Sequence, residues 1–312
     1  MLQISVARLH DDNREKLGLA WLAGRRGGEA FVRPEAGDGA ALVGHLNLIH
    51  PNRIQVLGSH EAAYLASFDD GAFVQLLANL FSSRPAAIIV ADGISAHPRL
   101  IDSAENSGTA VFGSAQPAAQ IIEHLRRFLA RVLAETTSLH GVFMDVLGLG
   151  VLITGDSGVG KSELALELIS RGHGLVADDV VEFSRIAATI LEGRCPPLLK
   201  DFLEVRGLGV LNIRTIFGET AVRPKMNLKL IVHLQRPLQG GTPEADRLPL
   251  HELSEDILGL AVRKVVIPVA AGRNLAVLLE AAVRDCILQL RGIYSMQEFV
   301  DRQDAELKKN GG

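Results

Sequence analysis

The chain is poor in cysteine. Cys195 and Cys286 are its two cysteines. Their wide separation excludes a disulfide framework and a Cys-based zinc module, and fits free thiols in a reducing compartment. An excess of positive charge is also missing. With a net charge of −4 the protein has no basic field for bulk binding of nucleic acid. No apolar stretch approaches the roughly 20 residues of a membrane-spanning helix, because Asp, Glu or Gly interrupts each one. The first residues lack the basic region and apolar core of a secretory signal. No Asn-Lys-x-Asp motif occurs for reading a guanine base, which counts against a GTPase-like switch. Internal repeats and low-complexity segments are absent too. These absences predict a cytoplasmic, soluble protein with neither a nucleic-acid nor a membrane partner. A hydrophobic content of 47% supplies a sizeable core, and 312 residues predict two domains.

The dominant feature that is present is Gly155-Asp156-Ser157-Gly158-Val159-Gly160-Lys161-Ser162, the full G-x-x-x-x-G-K-[ST] pattern. Its surroundings suit a phosphate-binding loop. The apolar run 146–154 predicts a buried strand entering it. Residues 163–171, with Leu164, Leu168 and Ile169 on one face, predict a helix leaving it. Successive backbone N–H groups and the helix N-terminus can cradle phosphate oxygens, Lys161 can reach the terminal phosphates, and Ser162 can ligate Mg²⁺. The glycines let the backbone turn tightly and approach the phosphates.

Ahead of this loop, short apolar runs at 3–7, 53–58, 86–91 and 110–112 predict strands, and 60–65, 71–82 and 99–107 predict helices. That alternation indicates an N-terminal α/β domain of unclear role, with no phosphate loop or metal-ligand spacing of its own. A long amphipathic helix is predicted over 118–135. The domain boundary is expected near its middle or end, giving units 1–131 and 132–312, with Thr136-Thr137-Ser138 as a loop or linker.

Beyond the loop helix, Leu175-Val176-Ala177 predicts a strand running into Asp178-Asp179, then onward through Val180, Val181 and Phe183. A parallel return would bring the paired carboxylates near the phosphates, where one can hold metal or water and the other can take a proton. The segment 203–212 (Leu203-Glu204-Val205-Arg206-Gly207-Leu208-Gly209-Val210-Leu211-Asn212) embeds two charges among apolar residues and glycines. Burying Glu204 and Arg206 costs several kcal/mol unless they pair or ligate something. They are therefore either a mutual salt bridge in a loop, or a metal-ligating carboxylate beside a phosphate-facing guanidinium. Strands are predicted at 226–234 and 265–269. A Pro- and Gly-rich loop over 235–250 carries Arg247. Gly272-Arg273 reads as a turn and Asn274 as the cap of a helix over 275–291.

In combination these segments resemble the bacterial HPr kinase/phosphorylase family. The resemblance is carried by His140-Gly141-Val142 followed by the phosphate loop, by Ala177-Asp178-Asp179, and by the stretch from Glu204 to Asn212. Asp246-Arg247-Leu248 and Gly272-Arg273-Asn274-Leu275 add to it. It implies an α/β fold: an N-terminal α/β domain plus a C-terminal P-loop kinase domain related to phosphoenolpyruvate carboxykinase. It implies a bifunctional enzyme that phosphorylates a serine of the phosphocarrier HPr with ATP. The same enzyme removes that phosphate by phosphorolysis, with inorganic phosphate as attacker and pyrophosphate as product. A cytoplasmic, Mg²⁺-dependent hexamer is implied as well.

Carried over residue by residue, the resemblance makes Ser162 and Glu204 the Mg²⁺ ligands. Lys161 steadies the β- and γ-phosphates, Asp179 is the catalytic carboxylate, and His140 and Arg247 are active-site residues. Arg206, Gly207, Gly209, Asn212, Gly272, Arg273 and Asn274 belong to the family's catalytic segments. The chain departs from the family at Ala270 and Ala271, where a basic residue and a proline are common; that segment bears mainly on dephosphorylation. A P-loop kinase for a small metabolite and a nucleotide-binding regulator without transfer chemistry are the competing expectations.

Overall fold

The computed structural model describes residues 3–33, 48–49, 54–236, 253–270, 272–294, 298–302 and 306. The chain divides into two compact units, Met1–Ala134 and Glu135–Gly312.

In the first unit, β1 is Ile4–Ser5 and α1 is Val6–Leu17. The strand expected over 3–7 is thus cut short by a helix. Ser5 starts the helix by accepting a hydrogen bond from the Arg8 N–H, and Val6, Leu9, Asn13 and Leu17 bury one face. The rest of the unit comprises β2 (Ala20–Ala23), β3 (Phe31–Val32), β4 (Leu48–Ile49), β5 (Ile54–Leu57), α2 (Ser59–Ala66), α3 (Asp70–Ser82), β6 (Ala87–Val90), α4 (Pro98–Ser107), β7 (Ala110–Gly113) and α5 (Ala118–Val132). The five-stranded sheet has the order β2-β7-β6-β5-β4. β5, β6 and β7 are parallel and the two outer strands antiparallel. β5 (Ile-Gln-Val-Leu) and β6 (Ala-Ile-Ile-Val) are buried on both faces, which accounts for their largely apolar character, with Gln55 the one polar side chain in them. One apolar cluster joins the sheet to α1 and α5, another joins it to α3 and α4. At the carboxyl edge of this sheet Asp92 accepts from the Ser59 N–H at 2.6 Å and the Ala118 N–H at 2.8 Å, capping α2 and α5 together.

In the second unit a nine-stranded sheet is built from β8 (Glu135–His140), β9 (Val142–Val146), β10 (Leu149–Gly155), β11 (Gly174–Ala177), β12 (Val180–Ala187), β13 (Ile190–Arg194), β16 (Met226–Gln235), β17 (Leu253–Ile257) and β18 (Leu260–Pro268). Its main path runs β11-β9-β10-β16-β13-β12-β8, with the β17–β18 hairpin attached to β16. A separate hairpin, β14 (Phe202–Val205) with β15 (Gly209–Asn212), stands outside it. The helices are α6 (Lys161–Ser170), α7 (Ile213–Phe217) and α8 (Leu275–Leu290). α6 and α8 pack on one face of the sheet through Leu164, Leu168, Leu279 and Val283.

Three expectations change here. Thr136-Thr137-Ser138 belongs to β8, an exposed edge strand, not to a linker. Its Thr residues suit that pleated edge. The apolar run 146–154 is not one strand, because Leu147 and Gly148 turn the chain at φ 55° and 83°, joining antiparallel β9 and β10. Asp178-Asp179 does not continue a strand. β11 pairs antiparallel with β9, whereas β12 pairs with β8 and β13, so the acidic pair marks a change of partner and not a parallel return. Among the described residues no helix is long and apolar enough to cross a membrane.

Candidate active site

β10 is buried over Leu149–Ile153 and delivers Gly155 to the phosphate loop. Glycine is required at 155: its φ is 138°, and a Cβ there would lie 2.4 Å from the Leu234 carbonyl oxygen of the neighbouring strand. Asp156, Ser157 and Gly158 are exposed, Val159 anchors the loop in the core, and Gly160 at φ 104° opens α6. The Lys161 ammonium donates to the Gly155 and Asp156 carbonyls at 2.8 and 3.0 Å, folded back over the loop it is expected to serve. Ser162 follows in the first turn of α6, half-buried. Behind the loop, Thr154 on β10 meets His233 Nδ1 on β16 at 3.0 Å, tying the two parallel strands together.

The acidic pair divides its labour by burial. Asp178 is 9% exposed, and its carboxylate accepts the Glu204 N–H at 2.8 Å. Burial pushes the Asp178 carboxyl above the ordinary carboxylate range, against the opposing pull of the Glu204 and Asp179 N–H groups. Asp179 turns outward. The Val180 N–H donates to the Asp178 carbonyl at 2.8 Å across it, a three-residue turn that holds Asp179 at φ 64°. A non-glycine residue in that region stores of order 1–3 kcal/mol of strain, a pattern concentrated at functional sites. Across the β8–β12 pairing, where His140 stands opposite Val180, the His140 imidazole comes to 3.8 Å from the Asp179 carboxylate.

The 203–212 segment is a hairpin. Leu203 and Val205 point into the core, while Glu204 and Arg206 alternate outward and are exposed. This corrects the expectation of two embedded charges. The strand period of two separates them from their apolar neighbours, so no burial cost has to be offset. Nor is the segment a loop closed by a mutual salt bridge: among the described residues no Glu204–Arg206 ion pair is found. Gly207 (φ 84°) and Gly209 (φ 86°) shape the tip, and Asn212 caps α7 by accepting the Thr215 N–H.

The hairpin connects the acidic pair to the phosphate loop. Its Glu204 backbone is bonded to Asp178. At its tip, the Arg206 guanidinium lies 3.4 Å from where a Cβ on Gly158 would stand. Arg236, which sequence reasoning missed, reaches the same glycine from the end of β16 and donates to the Ser157 and Gly158 carbonyls. The available signal was a basic residue just past a strand parallel to the loop strand. Gly272 (φ 83°) and Arg273 form a turn, and Asn274 caps α8 by accepting the Val277 N–H at 3.0 Å. Asn274 also accepts from Arg171 at 3.4 Å. Arg247, with Asp246 and Leu248, lies outside the described residues, as does Ala271.

The donor set suits a phosphate chain with a hard divalent cation. It offers oxygen donors at Ser162 and Glu204, backbone N–H groups in the loop, and cations at Lys161, Arg206 and Arg236. Among the described residues no group of three or more His, Cys, Asp or Glu side chains is assembled for a metal. Two protein ligands are what an ion shared with substrate phosphates needs.

Comparison with known proteins gives a consistent result. Residues 4–129 match the family described as HPr Serine kinase N terminus, and residues 131–303 the one described as HPr Serine kinase C-terminal domain. An "HPr kinase/phosphorylase" from Aromatoleum aromaticum is 56% identical, covering 100% of this chain and 99% of that protein. One from Bordetella petrii is 56% identical over 96% of this chain and 97% of that protein. A solved structure described as an Hpr(Ser) kinase/phosphatase from Coxiella burnetii aligns with 50% of this chain and 93% of that chain, at 36% identity and a TM-score of 0.46.

Proposed function

The chain belongs to the HPr serine kinase family, and from that premise we propose that it moves a phosphoryl group between ATP and a serine of HPr in both directions. The observation that carries this reading is the hairpin that joins Asp178 to the phosphate loop, with Asp179 and His140 facing each other beside it.

In the kinase direction the loop N–H groups and Lys161 hold the phosphate chain of ATP. The serine hydroxyl of HPr attacks the γ-phosphorus, and Asp179 takes the hydroxyl proton. A serine–phosphorus bond forms, the bond from γ-phosphorus to the bridging oxygen breaks, and ADP leaves. A positioned base of this kind is worth roughly 10²–10⁴-fold. His140, when protonated, steadies the Asp179 carboxylate at 3.8 Å. In the other direction an oxygen of inorganic phosphate attacks the phosphoserine phosphorus. The serine–phosphorus bond breaks, and protonated Asp179 returns its proton to the serine oxygen, leaving pyrophosphate. Mg²⁺, when bound by Ser162 and Glu204, neutralises charge on the phosphate oxygens. Arg206 and Arg247 are assigned the compensation of charge on the moving phosphoryl group.

Assembly as a homo-hexamer in the cytoplasm completes the proposal. Leu208 and Val210 on the hairpin and Ile216 on α7 are exposed apolar residues, which supports a covered surface there.

The test is purified HPr with labelled ATP, read as phosphoserine, followed by phosphate-dependent release of pyrophosphate from the product. A small-metabolite kinase would leave HPr unlabelled. Asp179→Ala is expected to lose at least about a hundredfold in both directions while still binding ATP. Full kinase rate in that variant would refute the assignment of Asp179.

A further inference from the structure

The phosphate loop is held from outside by a residue that belongs to none of its motifs. β16 runs parallel to β10 with Leu234 beside Gly155, so the carboxyl end of β16 brings Arg236 to the edge where the loop begins. There the Arg236 guanidinium donates to the Ser157 carbonyl at 3.1 Å and to the Gly158 carbonyl at 2.7 Å. These two oxygens belong to the peptide units whose N–H groups are those of Gly158 and Val159. The Val159 N–H closes the turn onto the Asp156 carbonyl at 3.2 Å. Among the described residues the Gly158 N–H meets no acceptor. A guanidinium on one end of a peptide fixes its orientation. It also polarises the N–H at the other end, making it a stronger donor.

A second observation concerns charge. Gly158 has φ 70° and no side chain, and a Cβ built on it would stand 3.4 Å from Arg206 Nη1 and 3.5 Å from Arg236 Nη2. Two guanidinium groups therefore flank one exposed glycine. Among the described residues neither is ion-paired with a carboxylate. Like charges this close repel unless an anion sits between or beside them. A polyphosphate chain held in the loop supplies that anion, and the fork geometry of arginine suits both carbonyl and phosphate oxygens.

We infer that Arg236 is a positioning residue of the phosphate loop: it clamps the Ser157 and Gly158 carbonyls so that the Gly158 N–H is held facing a polyphosphate, and with Arg206 it places positive charge beside that glycine. The inference rests on the loop being the phosphate-donor site proposed above. Arg236 acts through the loop backbone and takes no proton.

Two variants test it. Arg236→Met removes the donors and the charge but keeps an apolar stem, while Arg236→Lys keeps the charge and can serve one carbonyl at a time. Binding of ATP and of inorganic pyrophosphate, each with Mg²⁺, is measured by calorimetry on the full-length protein. Amide hydrogen exchange across Ser157–Gly160 is measured without nucleotide. Arg236→Met is expected to raise both dissociation constants about tenfold, the scale of losing one charge-assisted hydrogen bond. Its loop amides should exchange faster. Arg236→Lys is expected to fall between Arg236→Met and the parent. In HPr phosphorylation the KM for ATP should rise by a larger factor than kcat falls. Should Arg236→Met fail to fold, Arg236→Lys carries the test, with an expected weakening of about threefold. Dissociation constants within twofold of the parent, with unchanged loop exchange, would overturn the inference. A parent protein that binds ATP but never phosphorylates HPr would refute the functional reading instead, and the binding data would still decide the role of Arg236.

Discussion

Removing the charge of Asp178 without removing its hydrogen bond should make the protein more stable, and increasingly so as pH rises. In the folded chain Asp178 is buried and its carboxyl sits above the ordinary carboxylate range; in the unfolded chain it titrates in the ordinary carboxylate range. The folded state therefore holds this proton to a higher pH than the unfolded state does. Where the folded state binds more protons, stability falls with rising pH. The loss begins near pH 4 and continues until the folded carboxyl has ionised. Asp178→Asn is neutral at every pH and still presents an oxygen to the Glu204 N–H, now 2.8 Å from the Asp178 carboxylate. Near pH 4 it should match the parent, and by pH 8 it should melt at a higher temperature. Asp178→Ala separates the two contributions. It also removes the buried charge but strands the Glu204 N–H, a loss of about 1–3 kcal/mol. Each kcal/mol corresponds to about 2–4 °C in a unit of this size. At pH 8 Asp178→Ala should therefore melt below Asp178→Asn by about 2–12 °C. The assay is thermal unfolding from pH 4.5 to 8 in a chelator and without nucleotide, so that no bound ion reports in place of the carboxyl. An advantage of Asp178→Asn that shrinks with rising pH, or equal melting of the two variants, would refute the assignment.

Two further outcomes are expected. Asp92→Ala removes the shared cap of α2 and α5 and should destabilise the first unit by about 1–2 kcal/mol, seen as faster amide exchange at both helix starts. The two N–H bonds, that of Ser59 foremost, hold the Asp92 carboxyl below its usual range. Its contribution is accordingly present at neutral pH and lost as pH falls through the folded value, so the difference between variant and parent should narrow in acid; a difference that widens would contradict it. The Cys195 thiol is pushed up to about 11, mainly by burial and then by Asp201. Only about one thiol in a thousand is then ionised at pH 8, against about one in four for a free cysteine. Iodoacetamide followed by peptide mass spectrometry should find Cys195 alkylated at least a hundredfold more slowly in the folded protein than in urea, and equal rates would contradict the shift.

The features legible in the sequence are those set by local chemistry. Phe73, Leu77 and Leu80 at helical spacing gave α3, the Asn274 cap gave α8, and the glycine-lysine pattern placed the loop between β10 and α6. What was not legible depends on partners distant in the chain. A two-residue turn at Leu147-Gly148 is invisible inside an apolar run, because leucine at φ 55° has no sequence signature. β8 reads as a polar linker until β12 pairs with it. The apolar neighbours of Glu204 and Arg206 point to burial, whereas the pleat separates the two charges from them by parity. Asp178 and Asp179 look equivalent as letters; the turn at Asp179 sends one inward and the other out.

That parity couples the hairpin's register to its packing. In the β14–β15 hairpin Leu203 pairs with Leu211 and Glu204 with Val210. Sliding β14 by one residue would drive Glu204 and Arg206 into the core and expel Leu203 and Val205, because side chains alternate strictly between faces. It would also draw the Glu204 N–H away from the Asp178 carboxylate. A chain misregistered here thus loses the outward placement of Glu204 and Arg206 and its core packing in a single slip. Core packing and the outward placement of both charged side chains therefore stand or fall together in this hairpin.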